Sequence, residues 1–238
     1  MNRFRLLSQW AAAAAVSLSV LTVPAARADG PGAGITADFE VDFLRMMIDH
    51  HYSALRITEL AAGTDIQRNG QLSAAEGTSP TPGFASTPAK ATLDDLKSLA
   101  RRNNRMQREE ILNFQGMLRD WYGIDYQPRL RADGRQMIDM LEQARAGADF
   151  NHLFLEVFSR HHFTMLSPAG ACVTGSDLRH EELRRECRAM WIAQTSDIEM
   201  MRTELKKHFG IADYQPFKKH EVMGDRPSSP RGRHTGHD

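Results

Sequence analysis

The segment FLRMMIDHHYSAL at residues 43–55 returns in altered form as FLEVFSRHHFTML at residues 154–166. Phe43-Leu44 aligns with Phe154-Leu155 and His50-His51 with His161-His162, without a gap, and Asp38-Phe39 aligns with Asp149-Phe150 ahead of them. The ends of the repeat match as well, WYGIDYQP from Trp121 against HFGIADYQP from His208. Between these landmarks Gln107 and Ile111 fall opposite Gln194 and Ile198. A repeat with its own apolar periodicity constrains the fold strongly, because each copy has the same face to bury. The chain therefore reads as a tandem duplication of a helix–connection–helix unit.

In the first copy Phe39, Phe43, Met46 and Met47, His50, Ala54, Ile57 and Ala61 recur at three- and four-residue steps. That stripe predicts a helix over residues 36–62, with Thr36 as N-cap and Gly63 as its stop. Residues 63–92 are rich in Gly, Pro, Ser and Thr without a sustained period, the pattern of a long flexible loop. A helix returns over 93–122 and ends at Gly123. The hairpin so formed occupies residues 29–128. A linker, 129–148, contains a short helix near 136–145. The second hairpin, 149–217, carries SPAGACVTGS after its histidines, and Pro168, Gly170 and Gly175 predict that its first helix stops early. Its partner helix is expected over 178–209. Two hairpins with one apolar face each bury those faces against each other, giving an all-α, ferritin-like four-helix bundle with pseudo-two-fold symmetry.

The flanks read differently. Residues 1–28 have Arg3 and Arg5, an apolar run and Ala26-Arg27-Ala28, the plan of a cleaved signal peptide. The run is shorter than the ~20 apolar residues a membrane span needs, and no later segment is apolar enough. The expected product is exported, periplasmic or secreted, with no membrane span after cleavage. Residues 218–238 are polar and rich in Pro and Gly, a disordered tail in which His220, His234 and His237 read as solvated side chains. Lys plus Arg and Asp plus Glu balance at 30 each in the 238 residues, so bulk charge argues for no nucleic-acid or anionic-membrane partner. In an exported protein the two cysteines, Cys172 and Cys187, most simply form one disulfide. A thiolate metal site is the competing reading, without the close Cys-x-x-Cys spacing such sites prefer.

The paired histidines are the candidate site. Met46 precedes His50 by four residues, Met47 precedes His51 by four, and Met165 follows His161 by four. Residues so spaced lie side by side on a helix. Imidazole plus thioether is a soft, neutral donor set that favours copper, Cu(I) above all and also Cu(II), over magnesium or calcium. The expected ligands are His50, His51, His161 and His162 with Met47 and Met165. Gln107 and Gln194 are expected to hold the imidazoles in one tautomer through their amide oxygens. The alternative is a metal-free module in which the histidines form a buried hydrogen-bond network and the surface binds a protein partner. Di-iron chemistry would need Glu-x-x-His motifs, and the residues three before the histidines are Met47, Ile48, Phe158 and Ser159. Glu110 and Asp197 match between the copies but read as flanking or surface acids. With no nucleophile–base constellation and no phosphate-cradling loop, no enzyme is expected.

Phe43, Met47, His50-His51 and Ala54, followed by Gln107, Glu110-Ile111 and Leu118, resemble the DUF305 family of exported, ferritin-like helical proteins with an F-x-x-x-M-x-x-H-H-x-x-A signature. Its second-helix pattern, Q-x-x-E-I-x-x-M, is met in the second copy as Gln194, Asp197, Ile198 and Met201. In that copy Phe158 replaces the signature Met and Met165 stands near the usual Ala. The resemblance covers both repeats, and it implies periplasmic copper binding and copper resistance. It leaves the oligomeric state and any protein that would receive the metal ion open.

Overall fold

The computed structural model describes residues 36–64, 78–175, 178–218 and 221–222. The expected signal peptide, residues 65–77 of the loop, and most of the tail with His220, His234 and His237 lie outside the described residues. Among the described residues five helices follow in order: α1 Thr36–Ala62, α2 Asp94–Tyr122, α3 Ala132–Gln143, α4 Ala148–Thr174 and α5 Glu181–Phe209. No helix among the described residues is long and apolar enough to cross a membrane.

α1 pairs with α2 and α4 with α5, and the two antiparallel hairpins share their interior. One apolar cluster joins Ile57 and Leu60 of α1 to Leu99 of α2, Ile138 of α3, Phe150, Phe154 and Phe158 of α4 and Met201 of α5. A second joins Phe43, Leu44, Met47 and Ile48 of α1 to Phe114 and Leu118 of α2, Met165 and Cys172 of α4 and Leu183 of α5. The leading half of α1 thus meets the trailing half of α4, so these two helices run antiparallel. Both histidine pairs sit where one cluster gives way to the other, a polar layer at mid-height. The hairpins end alike: Gly123 and Gly210 adopt φ of 65° and 71°, and their amides bond back to Arg119 and Lys206. That left-handed turn is open to Gly without a Cβ clash, which is why both hairpins carry Gly there.

Two expectations are corrected. α4 does not stop at Pro168 but runs on to Thr174, as long as α1 at 27 residues each. Pro168 forfeits only its own N–H bond, while the Gly175 amide still reaches Ala171 O at 2.7 Å. The last turn is also clamped to α5 by the Cys172–Cys187 disulfide, Cα atoms 6.1 Å apart, both residues fully buried. The bridge therefore pins a continuous helix, not a broken connection. Secondly, residues 78–92, expected within a flexible loop, form an extended strap. Tyr52 Oη donates to Pro82 O at 2.6 Å and Arg56 to Ala85 O at 2.8 Å, and the Arg108 guanidinium donates to Ser79 O. Polar side chains of α1 and α2 satisfy the strap's backbone, a role that loop composition does not disclose.

Candidate metal centre

Adjacent residues on a helix point about 100° apart, so the two members of each histidine pair serve different neighbours. The second members turn toward their own hairpin. His51 Nε2 lies 2.9 Å from Glu110 Oε2 of α2, at an angle too oblique for a hydrogen bond. His162 Nδ1 donates to Phe158 O at 3.0 Å, and its Nε2 faces Asn103 Oδ1 at 3.3 Å and Asp197 Oδ2 at 3.4 Å. Burial works to raise the Asp197 carboxyl, but His162, Asn103 and Arg102 outweigh it and leave its pKa below the ordinary value. Glu110 and Asp197, read from sequence as flanking or surface acids, are instead the inward partners of His51 and His162.

The first members turn toward each other. The rings of His50 and His161 stack with centroids 3.6 Å apart and planes inclined by 27°. They are 7% and 1% exposed. His50 Nε2 donates to His161 O at 3.0 Å, and His161 Nε2 reciprocates toward His50 O at 3.3 Å and Ser53 Oγ at 3.0 Å. Ser53 and Thr164 lie three residues after His50 and His161 respectively, and each hydroxyl donates at 2.7 Å to the carbonyl three residues back. Because those carbonyls can only accept, the proton of each ring is assigned to Nε2. The lone pair of each Nδ1 is then left buried and without a partner. Burial first, and the neighbouring imidazoles second, push both rings well below the ordinary histidine pKa, so both are neutral at neutral pH.

Beside the stack is a cavity of about 100 Å³, lined by Met46, Asp49, His50 and Ser53 of α1, by Arg131 just ahead of α3, by Asp133, Gly134 and Met137 of α3, and by His161, Thr164 and Met165 of α4. Asp49 is already engaged, accepting from Tyr126 Oη at 2.9 Å and Arg129 N at 2.8 Å. Of the expected ligands, His50, His161 and Met165 meet at this cavity. His51 and His162 face their carboxylates. Met47, fully buried, belongs to the apolar cluster around Phe43 and Phe114. Its neighbour Met46 lines the cavity. Gln107 and Gln194 are buried, but Gln107 Nε2 points to Asn103 Oδ1 at 3.4 Å and both Oε1 atoms lack a partner. Among the hydrogen bonds of the described residues, neither glutamine touches an imidazole. Ser53 and Thr164 secure the tautomers instead, and their common register in the alignment was the available signal.

Among the described residues no three side chains of His, Cys, Asp and Glu are grouped to hold a metal ion. Arg131 and Asp133 at the cavity are exposed, and its inner donors are imidazole nitrogen and thioether sulfur, a chemistry that fits a soft monovalent ion.

Fold and site together define an antiparallel helical bundle with paired histidines across its centre. The chain belongs to the family described as Domain of unknown function (DUF305), which it matches over residues 85–205. The match spans α2 to α5, including His161-His162 but not His50-His51. No curated protein matches the sequence. Among solved structures, it is similar to CopM in the Cu(I)-bound form, with 20% identity, a TM-score of 0.51, and coverage of 72% of this chain and 98% of that one. CopM in the Ag-bound form by co-crystallization gives a TM-score of 0.52 at the same identity and coverage. At such identity the likeness establishes the fold and no more.

Proposed function

We propose that this is an exported metal-binding protein that sequesters copper as Cu(I) or passes it on, with His50, His161, Met46 and Met165 as its ligands. The observation that carries the reading is the pair of neutral, buried Nδ1 lone pairs left without hydrogen bonds beside a thioether-lined cavity. Buried polar atoms are nearly always partnered, so two matched orphans call for a missing partner. Copper is the cargo, bound and released by ligand exchange without turnover. That CopM, of the same fold, has been seen in Cu(I)- and Ag-bound forms supports a soft ion here. His51 and His162 serve as flanking groups held by Glu110 and Asp197. Tandem duplication of one hairpin accounts for the reciprocal His50–His161 contacts and the matched Ser53 and Thr164. Export rests on the signal-like residues 1–28. The rings stack with centroids 3.6 Å apart, so placing one ion between them requires the stack to open.

The second reading, a metal-free module with a buried histidine network, is favoured by the closed Nε2 hydrogen bonds of the stack. Cu(I) and Cu(II) titration of the chain from Asp29 onward, beside His50→Ala/His161→Ala, separates the two. Equal stoichiometry and affinity in both proteins removes the copper-site reading. A double variant that merely melts lower, with no metal bound by either protein, establishes the second.

A further inference from the structure

Met137 borders the cavity on one side and, on the other, an open groove of about 460 Å³ whose walls include Met140, Glu156, Arg160 and Tyr214. Met140 stands three residues further along α3 and is 42% exposed, an unusual place for a side chain that generally fills cores. Spacing of three places the two thioethers next to each other on one helix face, the outer one in solvent and the inner one at the cavity. From these observations, and resting on the copper reading above, we infer that α3 is the access gate of the site. Met140 captures a soft monovalent ion from solvent, and Met137 takes it over and hands it to the buried donors.

The helix itself is anchored, which confines motion to side chains. Lys90 Nζ donates to the carbonyls of Leu141, Glu142 and Ala144 at 3.0, 2.6 and 2.8 Å, closing the C-terminal end of α3. Arg56 reaches Glu142 at 2.7 Å. At the other end Gly134 lies so close to α1 that a Cβ there would be 2.6 Å from Ser53 Cβ. A methionine on such a frame has three rotatable bonds and swings without moving backbone. Each handover exchanges one sulfur–copper bond for the next, with the oxidation state unchanged and no proton moved, and the carrier that delivered the ion leaves with its own ligands.

The test uses the chain from Asp29 onward, without oxygen, with Cu(I)–bicinchoninate as donor. Equilibrium competition, stopped-flow uptake and thermal midpoints are measured for wild type, Met137→Leu and Met140→Leu, substitutions that keep volume. Met137→Leu is expected to slow uptake with the equilibrium affinity and the midpoint retained, because Met137 passes the ion on and does not hold it at rest. Met140→Leu is expected to slow uptake at unchanged affinity. Wild-type uptake in either variant, or a weakened equilibrium affinity in Met137→Leu, overturns the gate while leaving the copper site standing. A wild-type protein that takes up no Cu(I) refutes the site itself.

Discussion

The same substitution at two helical glycines should act with opposite sign. Gly116 of α2 has open space where a Cβ would be, with nothing within 4 Å. Replacing it with Ala removes the entropic penalty of a helical Gly and stabilises by about 0.5–1 kcal/mol. Gly134 of α3 differs, because its added Cβ would meet Ser53 Cβ at 2.6 Å and Ser53 Oγ at 3.0 Å. Ser53 cannot swing aside without breaking its bonds to His50 O and His161 Nε2. Overpacking of this kind costs about 1–3 kcal/mol, so after the helical gain Gly134→Ala should lose up to roughly 2.5 kcal/mol. At about 2–4 °C per kcal/mol for a chain of this size, the midpoints of the two variants should lie on either side of wild type. Thermal and urea unfolding of the metal-free, oxidised protein measure both. If the two variants stabilise equally, α3 is not seated on Ser53 and the cavity lacks its third wall.

Removing the disulfide with Cys172→Ala/Cys187→Ala frees a loop with a sequence separation of 15 and should cost about 3 kcal/mol in urea unfolding; an unchanged midpoint contradicts the clamp on α4. Met47→Ala should cost roughly 2–5 kcal/mol and leave Cu(I) affinity intact, while Met46→Leu should do the reverse, weakening Cu(I) in competition titrations with little loss of stability. The native pKa of His50 and His161 lies below the unfolded value, so the unfolded state binds more protons on acidification. Stability of the metal-free protein is therefore full above about pH 6.5 and falls below it, by up to ~2.7 kcal/mol per pH unit for the two rings together. Urea unfolding at about pH 7 and about pH 5 measures this slope, and equal stability at both would mean the rings are not buried neutral.

Much of this architecture is legible in the sequence pattern. Apolar steps from Phe39 to Ala61 mark one helix face, and matched Gly123 and Gly210 mark where the hairpins end. The juxtaposition of His50 and His161 follows once equivalent faces are packed together. Details that depend on the third dimension are not legible. Pro168 looks like a stop because its local cost is visible in sequence; the Cys172–Cys187 disulfide is legible too, but not that it and the buried Ala169 hold a helical turn beyond the proline. Met47 and Met46 are both four residues before a histidine, and only helix phase separates the core filler from the cavity wall. Short α3 reads as a linker helix, since nothing in its own pattern announces that Gly134 brings Met137 against the site.

Copper K-edge X-ray absorption of the Cu(I)-loaded chain tests the central claim most directly. Imidazole nitrogen and thioether sulfur should both appear in the first coordination shell, and both should be lost in His50→Ala/His161→Ala. A shell of oxygen and nitrogen alone, or a spectrum the double substitution leaves unchanged, would place the metal elsewhere and contradict the account.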